Sequence, residues 1–453
     1  MSHHHRSRRF IGLAALVAAT TLAPGVAQAA QSAPVPDHTL AAGTRFYVPP
    51  PAKGAKQQIS KLVRKGDEQD ARLLASMEAT PAAVWLTGGD PHEVARQVSG
   101  TLKAAERQNA EPIFVLYDIP GRDCSQYSAG GALDETAYEA WSAAVAKAIG
   151  DVHAVVIVEP DSLGEEPSDC AVSSTAAYPF TDAERVAEID YDVTALEADP
   201  YTTVYLDGTN PHWQSVGTIT QRLVEADVQD AQGFYLNVSN YEPNDQNEDY
   251  GGWISDCIAM TTDASDWAYG KYSDCASQYY PASVNDFSTW ALTDAWYAEN
   301  TGKAVAATHY VIDTSRNGQG RNDMTAYADA PYDQPASAIT TLQSGEWCNN
   351  PGAGLGLPPT TDTGVPLLDA YLWVKTPGES DGQCDAAGGV RAWDYAAYTQ
   401  PGWPTTTAAQ DLFDPLWGTD DPAAGTWFPQ QALQLVQNAN PPLTGVPGPS
   451  GKP

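Results

Sequence analysis

Polar or charged side chains, most of them acidic, recur in this sequence at one kind of position, after a short apolar run. The groups found there are Asp90, Asp118, Glu159, Asp161, Asp207, Asn237, Asp313 and Lys375. Carboxyl groups that lie close together can divide the work of acid–base catalysis, because burial and neighbouring charges push their pKa values apart. Helix capping is the structural alternative, and we expect it for one or two of them, such as Asp313 before Thr314. The series as a whole predicts a site rich in carboxylates.

Seven apolar runs precede these groups and predict the strands that position them. The runs are residues 83–86, 113–117, 155–158, 203–206, 234–238, 310–312 and 370–374. Runs that are apolar on both faces are typical of buried parallel strands, and the amphipathic stretches 137–149 and 216–226 predict crossover helices. We therefore predict an α/β fold, a distorted seven-stranded parallel, TIM-like β/α barrel. The carboxyl ends of such strands open on one face, so the polar groups should converge on a common cleft.

The N-terminus predicts an extracellular protein. Arg6, Arg8 and Arg9 precede an apolar run at 10–22, and Ala27-Gln28-Ala29 has the form of a signal-peptide cleavage site. We expect residues 1–29 to be removed on secretion. Six cysteines in an oxidising compartment predict three disulfides, and the residues alone leave their connectivity open.

Charge and composition exclude several classes of function. The chain has 57 acidic and 24 basic residues, a net charge of −33, which disfavours binding to nucleic acid or to anionic membranes. Neither C-x-x-C nor H-x-x-x-H spacing occurs, so we expect no zinc, and we expect no cofactor. Asp245, Asn247 and Asp249 alternate as in a calcium loop, but Tyr250 replaces the required glycine, which favours a solvated acidic loop.

The aromatic content indicates a neutral, hydroxyl-rich ligand. A secreted chain with 13 Trp, 22 Tyr and few cations suits a sugar polymer, although we expect about half of these rings to be core residues. Many of them fall in two long connections, 241–303 and 382–426, which we expect to be loops that wall or cover the cleft. Cleavage of a glycosidic bond requires a protonated carboxylic acid beside the scissile oxygen and a carboxylate or positioned water opposite.

Six blocks of the sequence resemble the signature motifs of glycoside hydrolase family 6, the inverting cellulases that include cellobiohydrolases and β-1,4-endoglucanases. The blocks are YDIPGRDC at 117–124, VEPDSL at 158–163, YLD at 205–207, DTSRNG at 313–318, EWC at 346–348 and WVKTPGESDG at 373–382. The resemblance implies a single catalytic domain over 44–442, preceded by a disordered lead at 30–43. A disordered tail would follow at 443–453.

The resemblance also implies roles for individual residues. Asp161 would be the general acid and Asp123 the carboxylate that helps it hold its proton. Asp381 would be the base, acting directly or through waters, and Tyr117 would press on the sugar ring at the cleavage site. Sugar-binding or electrostatic positions would be Asp207, Lys375, Glu379 and, more weakly, Asn240 and Arg316, with Trp85, Trp213 and Trp347 as stacking platforms. Arg316 could equally be a structural salt-bridge partner.

The family pattern also implies cysteine pairs, and this sequence departs from that pattern at two positions. The implied pairs are Cys124–Cys170 and Cys348–Cys384, which leaves Cys257 with Cys275. Ala129 stands where many members have a serine that holds the catalytic water, with Ser128 beside it. Asn210 stands where some members have a histidine.

The long connections favour an exo-acting cellobiohydrolase, whose loops roof the site into a tunnel and which releases cellobiose from non-reducing ends. The partner would be cellulose or cello-oligosaccharides, and the protein a monomer. An endoglucanase with an open cleft is the alternative within the family. Residues 378–382 also fit the G-x-S-x-G elbow of esterases, but no histidine follows Ser380 to complete a triad. A non-catalytic carbohydrate-binding protein would keep the tryptophans without needing both Asp123 and Asp161.

Overall fold

The computed structural model describes residues 38–170, 179–279, 286–384 and 391–443. The expected signal peptide and almost all of the expected tail lie outside these residues. No helix in the described part of the chain has the length and apolar character needed to cross a membrane. The described residues belong to one compact unit, which spans Pro36–Pro453.

Within the described residues, seven parallel strands form one sheet whose spatial order equals their order in the chain. They are β1 (Val84–Leu86), β2 (Ile113–Leu116), β3 (Ala154–Val158), β4 (Thr202–Asp207), β5 (Gly233–Leu236), β6 (His309–Asp313) and β7 (Leu368–Leu372). Each coincides with a predicted apolar run, so the predicted α/β fold is confirmed. The sheet curls into a half-barrel in which β1 and β7 approach through one backbone bond, from Ala83 N–H to Trp373 O at 2.9 Å.

Helices cover the outside of the sheet and its ends. They are α1 (Lys53–Lys65), α2 (Glu68–Met77), α3 (Pro91–Gln108), α4 (Glu135–Ile149), α5 (Asp182–Glu197), α6 (Val216–Glu225), α7 (Asn244–Thr262), α8 (Ala291–Asn300), α9 (Ala336–Ser344), α10 (Thr407–Gln410) and α11 (Pro429–Gln437). The predicted helices 137–149 and 216–226 are α4 and α6. Asp90 is a genuine helix cap, because its carboxylate accepts the N–H groups of His92 and Glu93 at the start of α3.

Alternate residues of each strand fill two separate cores. Phe114 and Leu116 of β2 point outward into the core shared with the helices, whereas Ile113 and Val115 fill the inside of the curled sheet. Phe46 packs into this inner core and pairs with Glu111, and Leu40 contacts its edge. Of residues 38–43, His38 and Leu40 are half-buried and the other four are exposed, and the lead expected at 30–43 stays a prediction.

The connection 241–303 differs from the expected covering loop. The helices α7 and α8 account for 29 of its 63 residues, and Trp253 and Trp290 are buried in the outer core. The acidic positions proposed as a calcium loop or a solvated loop, Asp245 and Asp249 among them, lie inside α7. A helix cannot adopt the sharp turns of a calcium-binding loop, and α7 serves instead as a crossover between β5 and β6.

The connection 382–426 is an irregular layer with its own small core. Its described part includes α10 and the short hairpin of β8 (Phe413–Asp414) with β9 (Thr419–Asp420). Trp393 packs against aromatic rings at Tyr327, Tyr332 and Trp403. Arg391 forms a buried ion pair with Asp414 at 2.8 Å. The segment is thus fixed to the barrel by packing rather than hanging over it as a free loop.

Candidate active site

The ends of β2 and β3 are tied together by a buried carboxylate. The side chain of Glu159 accepts the N–H of Asp118 at 2.9 Å and the N–H of Ile119 at 3.1 Å. Three residues of this region have left-handed backbones, with φ of +44° at Glu159, +71° at Asp161 and +56° at Asp123. Such strain in non-glycine residues costs free energy and concentrates at functional sites. The geometry points to a constrained site at the ends of these strands.

Asp161 lies at this site with its proton favoured. Burial raises the pKa of its carboxyl group well above the usual value, and the negative charges of Asp207 and Asp123 raise it further. No described residue donates a hydrogen bond to the carboxyl group, so nothing offsets these effects. Asp161 is therefore suited to donate a proton, as its assigned role as general acid requires.

Asp123 is held in place by its own loop. Its Oδ2 accepts the N–H of Ser128 at 2.5 Å, and Cys124 is covalently joined to Cys170, with a Cα–Cα distance of 5.3 Å. Burial raises the pKa of Asp123, while the Ser128 N–H and Arg122 oppose that rise. The loop uses Ser128, not Ala129, to contact the catalytic group.

Asp381 has the opposite environment to Asp161. Arg316 lies 2.7 Å from its Oδ2 and Lys375 lies 3.1 Å from its Oδ1, and Asn349 N–H donates to Oδ2 at 2.8 Å. Burial alone would raise the pKa of Asp381, but the two cations and the N–H outweigh it and lower the pKa. The site thus combines a carboxyl group whose pKa is raised with one whose pKa is lowered. Arg316 is here a salt-bridge partner of Asp381.

Comparison with known proteins agrees with this arrangement. The profile of the glycosyl hydrolases family 6 matches residues 41–439. Endoglucanase 1 of Streptomyces halstedii is 31% identical over 352 residues, covering 77% of this chain and 85% of that protein. The chain belongs to glycosyl hydrolases family 6. A probable 1,4-β-D-glucan cellobiohydrolase C of Aspergillus fumigatus is 26% identical, covering 81% of this chain and 71% of its own.

A solved family 6 structure shows the same fold. The endoglucanase of Mycobacterium tuberculosis in complex with methyl-cellobiosyl-4-deoxy-4-thio-β-D-cellobioside superposes with a TM-score of 0.58 at 31% identity. The superposition covers 89% of this chain and all of the other. The seven-stranded half-barrel is therefore the family 6 fold.

Asp207, expected at a sugar-binding or electrostatic position, is held by backbone groups in the folded protein. Its carboxylate accepts three backbone N–H groups, from Leu163 at 3.1 Å, Gly164 at 2.8 Å and Thr209 at 2.9 Å, and only 2% of the residue is exposed. Burial raises its pKa to about 6, against the effect of these bonds. These contacts fix the loop that follows Asp161, and the charge of Asp207 raises the pKa of Asp161.

Lys375 and Glu379 lie together beside Asp381. Lys375 Nζ also donates to Ser380 O at 3.3 Å. Burial raises the pKa of the Glu379 carboxyl group, and Lys375 opposes this rise. Asn240 donates to Val238 O at 3.0 Å within its own loop and remains partly exposed. These three side chains keep enough exposure to contact a ligand.

The aromatic residues that the family pattern named lie around the acids. Trp85 packs edge-on against Tyr117 with 5.1 Å between ring centroids. Its indole N–H donates to Val374 O at 2.8 Å, where β1 approaches β7. The Trp213 ring packs so closely on Gly164 that a Cβ there would lie 2.7 Å from it. Trp347 lies 5.9 Å from the ring of Tyr127. Tyr117 is buried, with the Arg122 guanidinium 4.3 Å from its ring centroid.

Several structural groups behind the site were missed from sequence. The Tyr138 hydroxyl lies 2.9 Å from Glu159 Oε1 and 2.5 Å from Asp192 Oδ2. Its single proton can be donated to Glu159 while the protonated carboxyl group of Asp192 donates to the tyrosine oxygen, because burial raises the pKa of Asp192 to about 8. Arg185, Glu188 and Asp192 lie on the buried face of α5 among apolar residues. Their spacing of three and four residues was a usable signal, because charges on an apolar helix face need partners.

The esterase alternative fails on the geometry of Ser380. The residue is fully buried, and its hydroxyl is bonded within the loop, to Pro422 O at 2.8 Å for example. The last histidine of the chain, His309, begins β6, whereas the active-site groups follow the strand ends.

Asp313, considered as a helix cap, instead accepts four backbone N–H groups. Their donors are Ser239, Ser315, Val374 and Lys375.

All three expected disulfides are present. Besides Cys124–Cys170, the structure has Cys257–Cys275 and Cys348–Cys384, with Cα–Cα distances of 5.9 and 6.0 Å. Cys348 immediately precedes Asn349, whose N–H contacts Asp381. Two of the three bonds therefore fix loops that carry Asp123 or contact Asp381.

Proposed function

We propose that this protein hydrolyses the β-1,4-glucosidic bonds of cellulose and cello-oligosaccharides with inversion at the anomeric carbon. The observation that carries the proposal is the pair of carboxyl groups with opposite pKa displacements, Asp161 raised and Asp381 lowered, at one edge of a family 6 barrel. The relatives named as endoglucanases and cellobiohydrolases support the substrate class. With its signal sequence, the enzyme would act outside the cell as a monomer.

In the proposed reaction, Asp161 transfers its proton to the glycosidic oxygen as the bond from that oxygen to the anomeric carbon breaks. A water molecule attacks the same carbon from the opposite face and forms the new C–O bond. The water's proton passes to Asp381, directly or through further waters. Because two cations lower its pKa, Asp381 is a weak base and would accept this proton only after the water has begun to bond. Tyr117 and Trp85 would hold the sugar at the cleavage point.

We further propose exo action with release of cellobiose from non-reducing ends. Tyr127, on the loop after β2, packs so closely on Gly382 that a Cβ on the glycine would lie 2.7 Å from the tyrosine. The loop that carries Asp123 thus meets the loop that carries Asp381, a contact that favours an enclosed site. The endo alternative draws support from α7 and α8, because 29 residues of the connection 241–303 form these helices and pack into the outer core.

Product analysis on cellohexaose tests both the inverting hydrolysis and the exo action. We expect cellobiose released as the α-anomer by the wild type, and a loss of hydrolysis in Asp161→Asn with an unchanged fold. Initial release of the β-anomer would refute inversion. A wild type that binds cellohexaose without cleaving it would favour a carbohydrate-binding protein. A rapid fall in the viscosity of carboxymethylcellulose with little cellobiose would refute exo action alone.

A further inference from the structure

A tyrosine outside the family motifs lies beside one of the expected stacking platforms. Tyr279 is 43% exposed, and its hydroxyl donates to the backbone oxygen of Trp213 at 2.9 Å. Trp213 in turn packs on Gly164, three residues after Asp161. Tyr279 is therefore linked through Trp213 to the loop that follows Asp161.

The backbone that carries Tyr279 is held rigidly. Gln278, fully buried, donates to Pro211 O at 3.0 Å and to Gln214 O at 2.7 Å, on either side of Trp213. Tyr297 donates to Ala276 O at 2.8 Å, and the disulfide of Cys275 anchors the start of the segment. Trp213 and Tyr279 are thus fixed relative to each other before any ligand binds.

We propose that Tyr279 forms an additional glucosyl-binding subsite, beyond Trp213, for a cellulose chain. The inference rests on the proposed function and adds a site to it. The hydroxyl of Tyr279 is already bonded to protein, so its exposed ring is the part available to a ligand. A fixed aromatic ring presents a flat apolar surface at little entropic cost, and the apolar face of a glucosyl unit is its natural partner. The net charge of −33 disfavours an anionic occupant, whereas a neutral sugar is unaffected.

A subsite remote from the cleaved bond has a distinctive signature, because only chains long enough to reach it gain from it. We expect Tyr279→Ala to lower kcat/KM for cellohexaose about fivefold while leaving cellotetraose within about twofold. Tyr279→Phe keeps the ring and should retain most of the cellohexaose activity. Tyr269→Ala removes a tyrosine of the same connection that is 55% exposed and lacks contact with Trp213, and it should behave as the wild type. In the inactive Asp161→Asn background, Tyr279→Ala should weaken binding of cellohexaose and not of cellotetraose.

An equal loss on both substrates would show that Tyr279 only supports Trp213 and would overturn the proposal, as would no loss on either. If Tyr279→Phe lost as much as Tyr279→Ala, the hydroxyl bond and not the ring would be responsible, and the subsite would be refuted. If the wild type cleaves neither substrate, the proposed function itself fails, and this outcome is distinct from the others.

Discussion

Removal of the Cys124–Cys170 disulfide should impair catalysis well beyond its effect on stability. Cys124 follows Asp123 directly, and the bond joins its loop to the segment that follows Asp161. Without it, the Asp123 carboxylate keeps the Ser128 N–H as a local contact, but its loop is no longer covalently fixed to the β3 side. We expect Cys124→Ala/Cys170→Ala to widen the range of positions that Asp123 occupies next to the general acid.

The stability cost follows from the length of chain that each disulfide closes. Cys124 and Cys170 are 46 residues apart, and the chain-entropy relation gives about 4 kcal/mol for a loop of that size. Cys257 and Cys275 are 18 apart, which gives about 3 kcal/mol. The two losses are similar, so Cys257→Ala/Cys275→Ala is a matched control for destabilisation without a direct effect on the catalytic loops.

Activity should separate the two variants. Misplacement of a catalytic group by about 1 Å can cost roughly a hundredfold in rate, so we expect kcat on cellotetraose to fall tenfold to a hundredfold, on the order of that estimate, in Cys124→Ala/Cys170→Ala. The control should lose clearly less activity, because its disulfide joins α7 to the segment that supports Trp213 and that carries neither Asp123 nor Asp381. Thermal unfolding of both variants gives the temperature below which each remains folded, and activities are compared there. Cellotetraose is chosen because it is too short to reach the proposed subsite at Tyr279, so that subsite does not contribute to the measured rate.

Equal activities in the two variants, at equal folded fractions, would refute this reasoning. They would mean that the Ser128 N–H and the Arg122 contacts alone position Asp123. A loss of activity in the control as large as in the test variant would likewise show that general loosening of the barrel, and not the position of Asp123, is responsible.

Three further outcomes follow from the buried carboxyl groups. Activity on cellotetraose should fall as pH rises through the raised pKa of Asp161 and as pH falls through the lowered pKa of Asp381. Asp123→Asn should move the basic limb of this pH–activity profile to lower pH, because the charge of Asp123 raises the pKa of Asp161. An unmoved basic limb would contradict the assigned electrostatics. Burial raises the pKa of Asp192 to about 8, so its native-state proton stabilises the fold at low pH, and this contribution declines from about pH 4 to about 8. Guanidinium midpoints at pH 5 and 8 should therefore differ less in Asp192→Asn, unless the group is not protonated in the folded state. Glu159→Gln should lower the free energy of unfolding by about 1–3 kcal/mol, because an amide cannot accept all three of its donors; an unchanged midpoint would count against the network.

The strands could be predicted from sequence because their burial is local in the chain. Residues of β3 are apolar on both faces and buried at every position, so the run 155–158 has no other simple interpretation. The connection 241–303 could not be read in the same way. In α7, Gly251, Trp253 and Thr261 are weak helix formers, and the helix depends on packing against the barrel that the local sequence does not reveal.

The roles of the strand-end carboxylates could be predicted only in part. Asp161, Asp207 and Asp313 each come after or at the end of a buried strand, and nothing in their neighbours distinguishes them without the family pattern. The distinction is the number of backbone N–H groups each one meets in the folded sheet. Asp207 accepts three and Asp313 accepts four, whereas no described residue donates to the carboxyl group of Asp161.

This difference explains how one edge of a sheet can hold so many acids and still have one proton donor. Backbone N–H groups stabilise the charged form of Asp207 in a buried position, which allows its negative charge to persist near Asp161. That charge, together with Asp123, then disfavours ionisation of the one carboxyl group that has no donors of its own. The residues that fix the loops are therefore also part of the electrostatic control of the acid. Replacing Asp207 by a neutral residue should both loosen the loop of Asp161 and lower the pKa of its carboxyl group.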